Sequence, residues 1–184
     1  MGLSSGDGSY GDRAVEKAKI VNDFVYENNI QSVIDFGCGD GNQLSLASYP
    51  QYFGLDISAT AVAKCRERFK NDPTKIFAIG YQYFRAEMAL SIDVIFHLVE
   101  DKDYIEYMQA LFAAAIRFVV IYSTDIDTSE DCGGHVRHRK FTDLVPAEWR
   151  LIKQIPIHVA GNTLQEGFWF YEHQQGTSDS RLDG

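Results

Sequence analysis

Cysteine, proline and positive charge are all scarce in this 184-residue chain, and each scarcity removes a class of answer. The three cysteines, Cys38, Cys65 and Cys132, are odd in number and show no C-x-x-C spacing, so no disulfide framework is indicated and a reducing, cytoplasmic location is expected. Only four prolines occur, and no domain linker or internal repeat is visible. Seventeen Lys and Arg against 26 Asp and Glu leave a net charge of -9 and a pI near 4.9, which repels a phosphate backbone and argues against nucleic acid as a partner. No apolar run approaches the length of a membrane span, and the opening MGLSSGDGSYGD has neither a basic start nor an apolar core, so no membrane association or secretion is expected.

What is present is the material of one globular domain, 45% hydrophobic and 23% charged, long enough to bury a core. Residues 1–10 read as a flexible Gly- and Ser-rich tail, 11–173 as the domain and 174–184 as a polar tail. From Asp12, a plausible N-cap, Ala14, Ala18, Val21, Phe24 and Val25 recur at helical steps as far as Asn28. Strands are expected at 32–36, 52–56, 75–79, 88–92 and 118–122. Helices are expected at 41–48, after Ser58 as a cap, and after Asp101 as a cap, the last burying Tyr104, Ile105, Met108, Leu111, Phe112 and Ala115. Strand and helix alternate, the signature of a parallel sheet with helices on both faces. Two final strands, 149–157 and 167–172, joined by a turn containing Gly161-Asn162, suit an antiparallel finish. The aromatic run Phe168-Trp169-Phe170-Tyr171 reads as core strand.

The informative stretch is QSVIDFGCGDGNQLSLASYPQYFGLDIS, residues 31–58. An apolar run meets Asp35 and then Gly37, Gly39 and Gly41, and a second apolar run stops at Asp56. Glycine turns the backbone tightly and leaves room for a ligand, while an acid at the tip of the next strand can take both ribose hydroxyls, so the ligand predicted is a nucleoside. No Lys followed by Ser or Thr comes after these glycines, which excludes a phosphate loop, and Asn42 stands where a dinucleotide fingerprint needs its third glycine. What remains resembles the first motif of the class I S-adenosylmethionine (SAM)-dependent methyltransferases, with Asp56 matching the ribose-binding acid.

That resemblance covers about residues 10–172 and implies a Rossmann-like α/β sandwich, with a mostly parallel seven-stranded sheet and an antiparallel last strand. It further implies SAM as cofactor, bound at a turn of Asp35, Gly37, Cys38, Gly39 and Gly41, with the three glycines at its methionine part and Cys38 packing in the loop, Asp56 at the ribose and Ile57 at the adenine face. Gly80 stands on the same rim, Asp93 would meet the amino group or the acceptor, and Arg13 the carboxylate. One departure is visible. Many relatives place an acid just past the third strand to hold the adenine amine, where this chain has Gly80-Tyr81-Gln82.

Ligands of an open parallel sheet lie beyond the carboxyl ends of its strands, which collects Gly37–Gly41, Asp56, Gly80, Asp93 and Ser123–Asp125. Methyl transfer to a hydroxyl needs a base near neutral pKa, and His97 and His135 are the candidates, His135 following two glycines in a long polar loop. The run His135-Val136-Arg137-His138-Arg139-Lys140 is the one cationic concentration in an acidic chain. Arg137, His138 and Arg139 would then bind an anionic acceptor, such as a phosphorylated or nucleotide-linked sugar or an acidic glycan, the other reading being a loop tied to neighbouring carboxylates. No regular ligand spacing joins His135 and His138 to Asp125 and Asp127, so no metal is expected. The reading is a SAM-dependent methyltransferase of a small or medium acceptor, at oxygen. A non-catalytic SAM-binding protein and a nicotinamide oxidoreductase using the same loop stay open.

Overall fold

The computed structural model describes residues 11–80, 84–127, 135–157 and 166–174. Outside them lie both tails, Tyr81-Gln82, Cys132 to Gly134, His158 and the Gly161-Asn162 turn. Seven strands, β1 (Ser32–Phe36), β2 (Gln51–Asp56), β3 (Lys75–Ile79), β4 (Ala86–Ile92), β5 (Ala115–Thr124), β6 (Trp149–Ile157) and β7 (Glu166–His173), form one sheet in the order β3-β2-β1-β4-β5-β7-β6. Three α-helices accompany them, α1 (Gly11–Glu27), α2 (Ala59–Arg68) and α3 (Asp101–Ala114). No helix among the described residues is long and apolar enough to cross a membrane. The chain divides into two compact units, one up to Glu87 and one from Met88.

In the first unit, α1 buries the expected stripe of Ala14, Ala18, Val21, Phe24 and Val25. Asp12 is not the cap. The helix already begins at Gly11, so Asp12 lies in its first turn, where a negative charge still favours the exposed amide end. The other end stops at Asn29, whose left-handed φ of 51° is accompanied by bonds from its N–H to the Tyr26 carbonyl and from the Ile30 N–H to the Val25 carbonyl. β1, β2 and β3 are mutually parallel, with Ile34 opposite Phe53 and Leu55 opposite Ala78. Ser58 caps α2 as expected, accepting the Ala61 N–H at 3.2 Å, and Val62 and Cys65 are buried while Lys64, Arg66, Glu67 and Arg68 face outward.

The helix expected at 41–48 is absent. Only Leu44–Leu46 make a single 3-10 turn. Ser45 bonds its hydroxyl back to the Asn42 carbonyl at 2.6 Å, and Asn22 of α1 takes the Leu46 carbonyl and the Ser48 N–H, so side chains from inside and outside the segment satisfy groups that a helix would have paired.

In the second unit, β5 is buried from Phe118 to Thr124, as a strand covered on both faces should be. β7 runs antiparallel to both β5 and β6, pairing Ile121 with Trp169 and Gln154 with Trp169 from the other side. The aromatic run Phe168 to Tyr171 is accordingly core. α3 departs from expectation three times, Ala115, expected on its buried face, being already the first residue of β5. Asp101 is its first residue rather than its cap, which is Glu100. Ile105 is exposed, and Tyr107 is buried in its stead because its hydroxyl meets Ser91 of β4 at 2.6 Å.

Candidate active site

In the first unit the turn after β1 is built on three left-handed residues, Gly37 (φ 94°), Gly39 (φ 57°) and Gly41 (φ 77°), a backbone path that side chains resist. The turn is stitched to β2. The Gly37 and Cys38 N–H groups donate to the Leu55 carbonyl at 2.7 and 3.0 Å, and the Gly39 N–H donates to the Asp56 carboxylate at 2.9 Å. The other carboxylate oxygen of Asp56 accepts the Ser58 N–H at 2.8 Å. Each oxygen thus holds one amide and keeps a lone pair for a further donor. Gly41 is closed in by packing, since a Cβ there would lie 2.8 Å from the Phe69 ring and 3.0 Å from the Cys65 sulfur. Gly80 (φ 73°) is the opposite case, with nothing among the described residues within 4 Å of a Cβ position, and its N–H donates to the Asp56 carbonyl at 2.9 Å.

Asp35 is buried and accepts the Tyr52 hydroxyl at 2.7 Å. Burial raises its pKa to about 7, the Tyr52 bond opposes that, and the nearby Asp56 charge adds to it. Cys38 and Cys65 are both buried free thiols, Cys65 donating to the Gly39 carbonyl at 3.2 Å. The Cys38 thiol is pushed far up by its contact with Cys65 and by burial, which suits packing and not nucleophilic chemistry. Ile57, by contrast, is 75% exposed, an apolar side chain left uncovered beside Asp56. Arg13 stands in the first turn of α1, next to Ala14, whose carbonyl accepts the Gln43 side-chain amide at 3.1 Å and so ties that turn to the segment after the glycines.

In the second unit Asp93 follows β4 in a left-handed conformation (φ 58°), with its N–H on the Tyr122 carbonyl at 3.2 Å. Asp tolerates this geometry better than most residues, at some cost. His97 ends a 3-10 turn, exposed, with Nδ1 3.3 Å from the His135 carbonyl and its ring against Phe96. His135 is exposed. His138 is placed differently from both. It is half-buried, with Nδ1 2.7 Å from the Thr124 hydroxyl at the carboxyl end of β5 and its ring near Phe96. Burial lowers its pKa, Glu166 pulls the other way, and His97 lowers it further. Glu166 itself accepts the Tyr122 hydroxyl at 2.6 Å.

The arginines of the basic run point away from His138. Arg137 donates to the Val99 carbonyl at 3.1 Å and to Asp101 at 2.8 Å. Arg139 donates to the carbonyls of Leu98 and Val99 and to Asp101 at 3.0 Å, and lies 4.4 Å over the Tyr104 ring. Asp125 holds the Thr142 N–H and hydroxyl, and Asp127 the Lys140 N–H, so both acids fasten the loop.

A family model described as a methyltransferase domain matches residues 34–114. Over those residues the chain is similar to the methyltransferase domain family. No curated protein matches the sequence. Among solved structures, the fold is similar to the N-methyltransferase NodS from Bradyrhizobium japonicum in complex with S-adenosylhomocysteine, at 10% identity and a TM-score of 0.73 over 88% of this chain and 87% of that one. It is also similar to a magnesium protoporphyrin IX methyltransferase from Synechocystis with the same product bound (14%, 0.68, 91% and 90%) and to the methyltransferase domain of a bacterial Hen1 (17%, 0.67, 86% and 97%).

The residues of this chain fit SAM. The left-handed glycine turn, the open space at Gly80, the uncovered Ile57 and an acid with two spare lone pairs are what a nucleoside with an amino-acid tail requires. Three participants escaped sequence reasoning, namely Tyr52, Cys65 and Glu166. Thr124 lies within the rim segment Ser123–Asp125 that the sequence indicated, but its bond to His138 was not foreseen. The others are joined to their partners only by strand register and helix packing.

Proposed function

We propose that this SAM-dependent methyltransferase acts on a hydroxyl of a small or medium acceptor bearing an anionic group, sugar-, nucleotide- or glycan-like, in the cytoplasm. Gly37, Gly39 and Gly41 would cradle the methionine part, with Asp35 and Cys38 supporting the turn. Asp56 would take the ribose, Ile57 the adenine face beside Gly80, Arg13 the carboxylate, and Asp93 the amino group or the acceptor. When bound, SAM supplies a methyl group already made electrophilic by its sulfonium.

The observation that carries the reading is His138. An oxygen acceptor must lose a proton, and His138 is a half-buried imidazole whose lowered pKa keeps it neutral near pH 7. In the tautomer that donates Nδ1–H to Thr124, Nε2 is left as the proton acceptor. This gives His138 the base role for which His97 and His135 were the candidates in the sequence, since those two are exposed and linked to each other through a backbone carbonyl. The anionic group of the acceptor would fall to Arg137, whose side chain is 48% exposed, because Arg139 is committed inward. Free cysteines at 38 and 65 support the cytoplasmic assignment.

The test is turnover on paired acceptors, hydroxyl against amine and phosphorylated against neutral. Hydroxyl acceptors are expected to be methylated, anionic ones at lower KM. His138→Gln should lower kcat about 10²-fold or more while leaving SAM affinity intact. Methylation of amines alone, or a fully active His138→Gln, overturns the reading.

A further inference from the structure

We propose that Arg139 and Asp101 are positioning residues, a buckle that fastens the segment carrying His138 and thereby fixes the orientation and hydration of its imidazole. The inference rests on His138 being the proton acceptor. Side chains at 137, 138 and 139 alternate as in an extended strand. The two arginines reach residues 98–101, and the histidine between them reaches Thr124. Arg139 is only 8% exposed, with its guanidinium engaged on two carbonyls, one carboxylate and the face of Tyr104. A guanidinium removed from water in this way is fixed in place, because letting go of any partner leaves a buried charge unmatched. Asp101 heads α3, where the amide end of the helix favours its negative charge, so the anchor belongs to a regular element and not to a loop.

The segment is held elsewhere as well, by the Arg137 N–H on the Phe96 carbonyl at 2.8 Å, the Lys140 N–H on Asp127 at 3.0 Å and Thr142 on Asp125. Loss of the buckle therefore loosens one residue next to His138 while leaving its surroundings in place. A guanidinium poised for an external anion would keep its fork open. The two terminal nitrogens of Arg139 are closed on its own chain, with Nε alone left without a partner, which makes an acceptor-binding role the weaker account of it.

The imidazole feels Glu166, His97 and the Phe96 ring besides its Thr124 bond. None of these changes when Arg139 is altered, and since loss of the Arg139 charge alone would also raise the pKa, a shift reports packing only where the charge-retaining Arg139→Lys shows it too. The experiment is NMR titration of the imidazole in the full chain, labelled at histidine, for Arg139→Met, Arg139→Lys and Asp101→Asn. The His138 pKa is expected to rise toward the ordinary histidine value in Arg139→Met as water reaches the ring, and the acidic limb of the pH–rate profile should move up with it. Lysine restores the charge but lacks the planar fork that serves several acceptors, so it should return fold stability without returning the titration. Asp101→Asn, at a carboxylate that is 70% exposed, is the variant sure to fold and should shift the titration in the same direction. Unchanged His138 resonances and pKa in folded Arg139→Met and Asp101→Asn overturn the inference. An active His138→Gln overturns the base assignment alone, so the two failures are distinguishable.

Discussion

At the scale of single residues, Asp56 does two jobs with one carboxylate. It holds the glycine turn and the residues after β2 through the Gly39 and Ser58 amides, and it offers its remaining lone pairs outward. Asp56→Ala is expected to weaken SAM binding by about 1–3 kcal/mol in calorimetry, through loss of the charge-assisted ribose bonds and of the turn's support. Unchanged affinity would place the ribose acid elsewhere. Asp35 makes a different prediction, because its pKa of about 7 in the folded chain lies above the ordinary 3.8. Between those values the folded chain holds a proton that the unfolded chain has released. The associated stability is present below about pH 4 and is lost as pH rises through about 7. Asp35→Asn keeps an acceptor for Tyr52 without the charge. Its urea midpoint should therefore gain on the parent's as pH is raised from 5 to 8, and parallel curves would show Asp35 to be ionised throughout.

At the scale of elements, the turn after β1 is shaped by its neighbours as much as by its own glycines. Gly41 meets Cys65 of α2 and Phe69 at its end, whereas Gly80 meets nothing among the described residues. Alanine at either position carries the left-handed backbone penalty of about 1 kcal/mol, but Gly41→Ala adds a clash and should cost roughly 2–4 kcal/mol in chemical denaturation. Equal losses at the two sites would mean that α2 yields freely. Much of this level was legible beforehand, since the apolar stripe of α1, the strand at 32–36 and the Ser58 cap are written in local periodicity and capping chemistry. The stretch at 41–48 was not. Its propensity is compatible with a helix, and what decides against one is Asn22, far off in sequence, taking the Leu46 carbonyl and the Ser48 N–H. Tyr107 likewise displaced Ile105 from the buried face of α3 because Ser91 offers its hydroxyl a partner.

At the scale of the whole molecule, the sheet order β3-β2-β1-β4-β5-β7-β6 and the match of residues 34–114 to a methyltransferase domain define what should bind. A ligand that binds only the folded chain stabilises it by mass action, about 2.7 kcal/mol at a hundredfold excess over Kd. SAM and its demethylated product should raise the melting temperature of the chain, and NAD should not. A rise with NAD alone would return the nicotinamide reading.

The sequence by itself determined the strands, the glycine turn and the acid beside it, because those depend on local periodicity, on glycine's access to left-handed backbone and on an acid stationed at a strand tip. Only the tertiary structure decided which histidine is sheltered and which arginines are already occupied. Burial and hydrogen-bond partners come from residues distant in the chain, such as Thr124 for His138 and the Leu98–Asp101 segment for Arg139, and these set whether a side chain of given type is neutral, charged, committed or available.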